Sequence, residues 1–115
     1  MKEILFYKTS SGHSPVEEFI DSLNLKQAKK VVWTLRLVRD LERVPEEYLK
    51  KLTGSDDIWE IRIQFGNDIF RLLGFFEVSN TIVLTNAFSK KSQKTPEKEI
   101  GLAEQRKKEY YEREK

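Results

Sequence analysis

The sequence predicts an α+β domain with an N-terminal strand, two helices, a three-stranded antiparallel meander and a C-terminal helix. Residues 57–88 predict the meander, because apolar and polar side chains alternate there and two short turn signals interrupt them. Residues 14–41 predict the helix pair, because their apolar residues recur at helical spacing. A chain of 115 residues is expected to form a single domain over residues 1–115, large enough for one core.

The first strand is predicted within residues 2–8, whose letters KEILFYK contain a short apolar run. Ser14 and Pro15 then favour a helix start, with the serine as N-cap and the proline in the first helical position. Glu17, three residues after Ser14, completes the pattern of a capping box. This helix is expected to run to about Leu23.

A second helix is predicted after Asn24, with apolar residues at helical spacing as far as Leu41. Pro45 is expected to end it, because proline has no backbone N–H to donate within a helix. The letters PEEYLKKL that begin at Pro45 favour a short helical turn, whose surface would carry Lys50 and Lys51.

The pair Gly66-Asn67 predicts a tight two-residue hairpin between the first two strands of the meander. In the register that this turn sets, Arg62 lies directly opposite Arg71 on one sheet face. Two cations in opposing positions repel each other, so we expect an anionic group between them. Since this repulsion would be relieved without Arg71, replacing Arg71 is expected to leave the melting temperature nearly unchanged.

The pair Ser79-Asn80 predicts the second turn, which places Arg71 opposite Phe88 on the same face. The helices are expected to cover the other face, on which Trp59 lies, and to leave the arginine face more open. The side chains expected on this open face are Glu60, Arg62, Arg71, Asn86 and Phe88. An arginine pair beside an aromatic ring is typical of a surface that binds phosphates and bases.

A lysine-rich loop with the letters SKKSQKTP follows the third strand of the meander. It is expected to add Lys90, Lys91 and Lys94 to the rim of the arginine face. Thr95 and Pro96 then predict the N-cap and the first position of the final helix. Apolar residues are few along this helix, so its end is expected to be exposed.

The composition argues against several classes of protein. The chain has no cysteine, which excludes disulfides and thiolate chemistry and is typical of a reducing compartment. No apolar run approaches the length of a membrane span, so we expect a cytoplasmic protein without membrane contact. Metal-ligand spacing and a glycine-rich phosphate loop are missing too, and no metal or cofactor is expected. Residues 89–115 carry a net charge of +3 against −1 for residues 1–88, which favours a small anionic contact.

Three segments resemble the RelE/ParE superfamily of bacterial type II toxins, in particular its HigB branch and phage-derived relatives. They are WEIR (residues 59–62), FRLL (residues 70–73) and AFSKKSQKTPEKEI (residues 87–100). The predicted order of strands and helices is similar as well. The resemblance implies a helix-turn-helix antitoxin encoded nearby and, for many members, cleavage of mRNA on the ribosome. For the ParE branch it implies a toxin that binds DNA gyrase and cuts no RNA, and this alternative stays open.

The resemblance also implies roles for single residues in a metal-free cleavage, in which the 2′-hydroxyl of the RNA attacks the adjacent phosphate. Arg71 matches the strand arginine of the superfamily and would clamp that phosphate with its planar fork. Arg62 would be a second clamp, while proton transfer would fall to Glu60, Lys90 or Lys91. Further contacts with RNA are expected from Lys94, Phe88 and Lys51.

Histidines often contribute to HigB-type sites, and His13 is the only histidine of this chain. Because His13 lies far upstream in the first loop, we expect a surface residue rather than a catalyst. Tyr110 or Tyr111 would echo the terminal tyrosines of RelE-like enzymes, although their spacing matches poorly. The missing histidines are the reason to keep a non-enzymatic interaction module as the alternative.

Overall fold

The computed structural model describes residues 1–78, 80–91 and 94–113. Within these ranges the chain forms five strands and three helices, which confirms the predicted α+β class. The elements are β1 (Glu3–Phe6), α1 (Pro15–Asp21), α2 (Leu25–Asp40), β2 (Leu49–Lys51), β3 (Trp59–Phe65), β4 (Asp68–Val78), β5 (Thr81–Lys90) and α3 (Glu97–Arg113). The sheet order is β1-β5-β4-β3-β2, with β1 parallel to β5 and the other neighbours antiparallel. Among the described residues, no helix combines the length and apolar character that crossing a membrane requires.

The two helices of the first half begin at side chains that accept backbone hydrogen bonds. Oγ of Ser14 accepts from the N–H of Glu17 at 3.3 Å, which confirms the predicted N-cap of α1. This helix ends at Asp21, two residues before the predicted end. Asn24 caps α2, and its side chain forms a reciprocal capping box with Gln27 that sequence reasoning did not identify.

The segment after Pro45 is a strand rather than the predicted short helix. One turn does form, because the N–H groups of Tyr48 and Leu49 donate to the carbonyl of Pro45. The chain then extends as β2 and pairs antiparallel with β3, which places Lys50 opposite Glu60. Leu49 is buried in the core, and this burial together with the strand pairing overrides the helical tendency of the segment.

The predicted register of the meander is confirmed at the positions that matter for a site. Arg62 lies opposite Arg71, and Arg71 lies opposite Phe88. Gly66 has a φ of 61°, the left-handed conformation that a tight hairpin turn needs at this position. The second predicted turn includes Ser79, which lies outside the described residues.

Two irregularities in the β4–β5 pair shift the register by one residue and then restore it. The first lies between Leu73 and Gly74, and the second lies between Phe76 and Val78. The uniform register predicted from the turn is therefore correct at both ends of β4 and displaced between them. A Cβ at Gly74 would stand 2.3 Å from a backbone oxygen of β5, so only glycine permits this close approach.

Both faces of the sheet are covered, which corrects the expectation that the helices cover only one. α1 and α2 pack on the face that carries Trp59 and Ile61, which we call the aliphatic face. α3 packs on the opposite face, the α3 face, where Ala103 lies in one apolar cluster with Phe75. The end of this helix is docked too, since Tyr110 packs edge-on against Phe75 with ring centroids 5.5 Å apart. The arginine face is therefore partly closed by a helix.

Candidate nucleic-acid interface

Cationic side chains gather on the α3 face around the carboxylate of Glu60. Strand pairing brings Lys50 of β2 opposite Glu60 of β3, and Arg62 of β3 opposite Arg71 of β4. Lys90, the last residue of β5, is 7% exposed. Its pKa is affected by the charges of Arg71, Glu60, Arg62 and Lys50. We call Lys50, Arg62, Arg71 and Lys90 the basic cluster.

The strand pairing holds the two arginines of the basic cluster side by side. The backbone N–H of Arg62 donates to the carbonyl of Tyr48 at 2.8 Å, on the side away from β4. Arg62 and Arg71 are therefore a non-hydrogen-bonded pair of the β3–β4 ladder, the kind in which opposing side chains lie nearest. Oε1 of Glu60 lies 3.1 Å from Nε of Arg71 and 3.4 Å from Nε of Arg62. The protein itself thus supplies an anion at the arginine pair.

The Nε atoms of the two guanidinium groups lie beside Oε1 of Glu60 without well-aligned hydrogen bonds to it. The Nε atoms of Arg62 and Arg71 are buried, and within the described ranges neither has a partner in hydrogen-bond geometry, despite the short ion-pair distances. Nη1 of Arg71 donates to the backbone carbonyl of Phe70 at 3.0 Å. A buried donor without a well-aligned acceptor costs about 1–3 kcal/mol, so these two Nε–H groups lower the stability of the site relative to a fully paired arrangement.

Burial lowers the pKa of two members of the basic cluster, Arg71 and Lys90. It lowers the pKa of Arg71, while Glu60 opposes this change and Arg62 adds to it. An arginine nevertheless stays charged at any ordinary pH. Burial is also the largest cause of the lowered pKa of Lys90, followed by the positive charge of Arg71, and Glu60 again opposes it. Lys90 therefore gives up its proton more readily than an ordinary lysine, as a general acid must.

Thr95 ties the loop after β5 to the basic cluster. Its hydroxyl donates to Oε2 of Glu60 at 2.5 Å, and both residues are buried. The prediction that Thr95 caps α3 is therefore wrong: the helix begins at Glu97, and the Thr95 hydroxyl is engaged by the carboxylate instead. With Oε1 beside the arginines and Oε2 bonded to Thr95, Glu60 connects β3, β4 and this loop.

The other predicted contacts of the lysine loop and of β5 lie in different surroundings. Phe88 is half-buried and packs against the apolar cluster beneath α3. Lys91 and Lys94 are exposed, whereas Ser92 and Gln93 of the same loop lie outside the described residues. Phe88 therefore lies opposite Arg71 and packs beneath α3, whereas Lys91 and Lys94 are exposed to solvent.

The two neighbouring lysines of β2 lie on opposite faces of the sheet. Lys51 lies across from Trp59, and its Nζ is 2.8 Å from Oδ1 of Asp57. Lys50 lies across from Glu60 and belongs to the basic cluster, although sequence reasoning selected Lys51. The alternation of side chains along a strand identifies Lys50, but only once the segment is known to be a strand.

The remaining candidate residues lie outside the basic cluster. His13 has a 67% exposed side chain, and its Nδ1 is 2.9 Å from Oε2 of Glu18, so it is a surface residue as expected. Tyr110 and Tyr111 contact Phe75, four residues along β4 from Arg71. Over the part of the chain that the structure describes, no group of three or more His, Cys, Asp or Glu side chains could hold a metal ion.

The mixed sheet, its helices and the strand order define a RelE-like α+β protein. The profile of the family "Phage derived protein Gp49-like (DUF891)" matches residues 18–108, and the chain belongs to this family. The Gp49-like family is part of the RelE/HigB-type toxin superfamily, so membership is consistent with a toxin of a toxin–antitoxin system. No curated protein matches the sequence. The matched range includes every residue of the basic cluster.

Proposed function

We propose that the protein is a HigB-like toxin of a type II toxin–antitoxin pair, which inhibits translation in the cytoplasm by cutting mRNA on the ribosome. The observation that supports this proposal most is the position of Arg71. This arginine is buried at mid-strand, beside other cations and within ion-pair distance of the carboxylate of Glu60. RNA carries a phosphate at every nucleotide, and a planar guanidinium matches its oxygens.

The reaction that suits the basic cluster is a transesterification within the RNA. The 2′-oxygen forms a bond to the adjacent phosphorus, the bond to the 5′-oxygen breaks, and a 2′,3′-cyclic phosphate and a 5′-hydroxyl result. Arg71 and Arg62 stabilise the negative charge that develops on the phosphorane. Lys90, whose pKa is lowered by burial, donates a proton to the leaving 5′-oxygen.

The 2′-proton needs an acceptor, and Glu60 is the carboxylate within ion-pair distance of both Arg62 and Arg71. Its Oε1 lies beside both arginines and its Oε2 accepts from Thr95, so neither oxygen is placed to take up a proton in this arrangement. A substrate phosphate that engages the guanidinium groups frees Oε1 for this task. In this proposal Glu60 positions Arg62 and Arg71 before the substrate binds and accepts the proton afterwards. Lys91 and Lys94 contact flanking phosphates.

Cleavage in a reconstituted translation system tests the proposal. A defined mRNA is translated with purified protein, and the new 5′ ends are mapped by primer extension. We expect cuts at the codon in the decoding site, their loss with Arg71→Lys, and no change with Lys108→Ala, which removes an exposed lysine of α3. Intact mRNA and undiminished translation in the presence of the parent protein would contradict it.

A gyrase-binding toxin of the ParE type is the second candidate. The observation in its favour is that His13, the single histidine, lies in the loop before α1 beside Glu18 rather than in the basic cluster. Expression in cells separates the two candidates. Rapid loss of protein synthesis with cut mRNA supports the nuclease, whereas DNA damage and filamentation with intact mRNA support the gyrase-binding toxin.

We further propose that a helix-turn-helix antitoxin, encoded by an adjacent gene, neutralises the protein. The basic cluster carries more positive than negative charge, and an acidic helix or strand of a partner can cover such a surface. Expression of both genes together, followed by affinity purification through this chain, should recover the antitoxin in equal amount. Recovery of this chain alone, when both proteins are made, would count against the partnership.

A further inference from the structure

A cleft of about 320 Å³ opens beside the basic cluster at the edge of β3. β2 is three residues long and pairs with β3 only as far as Ile61, so among the described strands none covers the rest of this edge. Tyr48, Ile63 and Gln64 line the cleft, which also reaches α2. Arg62 and Arg71 line it as well, so the cleft and the basic cluster are continuous.

We propose that this cleft holds one nucleoside of a single-stranded RNA whose adjoining phosphate is bound by Arg62 and Arg71. The inference rests on the proposed function and adds to it the place where a base next to the cut is recognised. A volume of about 320 Å³ is at the small end for ligand sites, and it suits one nucleotide rather than a base pair. The cleft therefore selects an unpaired strand.

Tyr48 is the aromatic side chain on which the base would stack. It is half-buried, and its ring packs edge-on against Trp33 of α2 with centroids 6.1 Å apart. Lys30 lies over the same indole, with its Nζ 4.5 Å from the ring centroid. These contacts hold Tyr48 in place, and a tyrosine held in this way offers a stacking surface that accepts any base. Ile63, which is fully buried, adds an apolar contact.

Polar groups at the uncovered edge of β3 can distinguish one base from another. The backbone N–H of Arg62 points to Tyr48, and since backbone groups alternate along a strand, those of Gln64 point to the same edge. The exposed side chain of Gln64 makes one long contact to a described residue, from Nε2 to the carbonyl of Gly66 at 3.4 Å. Its amide can therefore turn to donate to and accept from the edge of a base, as glutamine does in nucleic-acid recognition.

Binding of mononucleotides compares the cleft with the phosphate site directly. The full-length protein is titrated with inorganic phosphate and with AMP, GMP, CMP and UMP, while backbone amide signals are followed by NMR. We expect the nucleotides to bind about fivefold to a hundredfold more tightly than phosphate, because the base stacks, and to shift the signals of Tyr48 and Gln64.

Variants at Tyr48 show whether this advantage comes from the cleft. Tyr48→Ala should lower nucleotide affinity to that of phosphate and leave phosphate affinity unchanged, whereas Tyr48→Phe should behave as the parent. Tyr111→Ala, which truncates an exposed tyrosine of α3, is the matched control and should have no effect. If Tyr48→Ala does not fold, Tyr48→Leu replaces it, because leucine fills the space without an aromatic face.

RNA cleavage provides an independent readout. Tyr48→Ala should cut about tenfold more slowly than the parent, and Gln64→Ala should weaken the preference for the base next to the cut. Equal affinity for phosphate and nucleotides, or an undiminished nucleotide advantage in a folded Tyr48 variant, would overturn the inference. If the parent protein cuts no RNA, the proposed function fails, while the binding comparison still decides whether the cleft takes a nucleoside.

Discussion

The two faces of the sheet are buried in different ways. On the aliphatic face, residues such as Ile61 and Ile63 pack with α1 and α2 into one apolar core. On the α3 face, the apolar packing around Phe75 gives way to a region where Arg71 and Glu60 are buried instead. Burial of apolar side chains stabilises a fold, whereas burial of charges costs free energy unless the charges are well paired.

Under the proposed function, this difference separates the residues that stabilise the fold from those that bind RNA. Glu60 lies within ion-pair distance of both Arg62 and Arg71, yet the buried Nε atoms lack hydrogen bonds to the residues described. Buried charged groups that lack hydrogen bonds reduce stability. Such groups are common at functional sites, where a ligand can supply the missing hydrogen bonds. The apolar burial on the aliphatic face offsets that cost, and the α3 face holds Arg62 and Arg71 beside Glu60.

Ile61→Ala tests the aliphatic face and should have the largest effect on stability. Ile61 is fully buried, and the cavity left by its truncation should lower the free energy of unfolding by about 2–5 kcal/mol. Because its side chain lies away from the basic cluster, the protein that remains folded should cut RNA at the parent rate. Urea unfolding and cleavage assays check both points. Loss of cleavage in fully folded Ile61→Ala protein would break the separation of the two faces.

Arg71→Lys tests the α3 face and should lower cleavage by about a hundredfold or more, roughly 3 kcal/mol, because lysine keeps the charge but loses the planar fork. Arg71→Ala should lower it further and also reduce the melting temperature, since Glu60 would stay buried with one cation fewer. From the sequence alone, replacing Arg71 is expected to leave the melting temperature nearly unchanged. The ion pair with Glu60 leads us to expect a lower melting temperature instead. Cleavage kinetics and thermal unfolding measure these effects, and a folded Arg71→Ala protein with the parent's activity would defeat the proposal.

Glu60→Gln should change stability and RNA affinity in opposite directions. Without the carboxylate, Arg62 and Arg71 repel each other unopposed, which should cost about 1–3 kcal/mol of unfolding free energy. The site becomes more positive, so affinity for a 2′-deoxy oligonucleotide that cannot be cut should rise several-fold. The glutamine carbonyl still accepts from Thr95, which keeps the loop in place. Chemical unfolding and fluorescence anisotropy measure the two effects, and a variant that binds more weakly would refute this account.

The lowered pKa of Lys90 predicts a dependence on alkaline pH. Because charged Lys90 is disfavoured in the folded protein, the resulting loss of stability is complete below its folded-state pKa. It is relieved as the pH rises from there toward the ordinary value of 10.5. Lys90→Met should be more stable than the parent near neutral pH and should lack this rise in stability at alkaline pH.

Cleavage by the parent should decline as the pH passes the lowered pKa of Lys90, because a general acid must carry its proton. Identical profiles of cleavage rate against pH for the parent and Lys90→Met would exclude that role.

Lys50 and Lys51 form a matched pair with the smallest expected effects. Lys50→Ala should weaken RNA binding several-fold and reduce the slope of log affinity against log salt concentration by about 1, as one lost phosphate contact does. Lys51→Ala should change stability little, because its ion pair with Asp57 is exposed, and should bind RNA almost as well as the parent. If Lys51→Ala has the larger effect on binding, the assignment made from sequence stands instead.

The sequence by itself determines most of the elements and the opposition of the two arginines. Turn residues and alternation act between positions a few residues apart, so the Gly66 turn is enough to place Arg62 opposite Arg71. The N-cap at Ser14 is predictable for the same reason. The register predicted for Phe88 is correct only because one of the two irregularities between β4 and β5 shifts the pairing by one residue and the other shifts it back.

Only the tertiary structure decided which face α3 covers, that residues 49–51 form a strand, and that Lys50 joins the basic cluster. It also decided the partners of Glu60, one of which, Thr95, is 35 residues away in the sequence. These outcomes depend on burial and ion pairing between distant segments, which contribute several kcal/mol in total. Local preferences for helix or strand differ by about 1 kcal/mol per residue or less, so they yield wherever distant contacts favour another conformation.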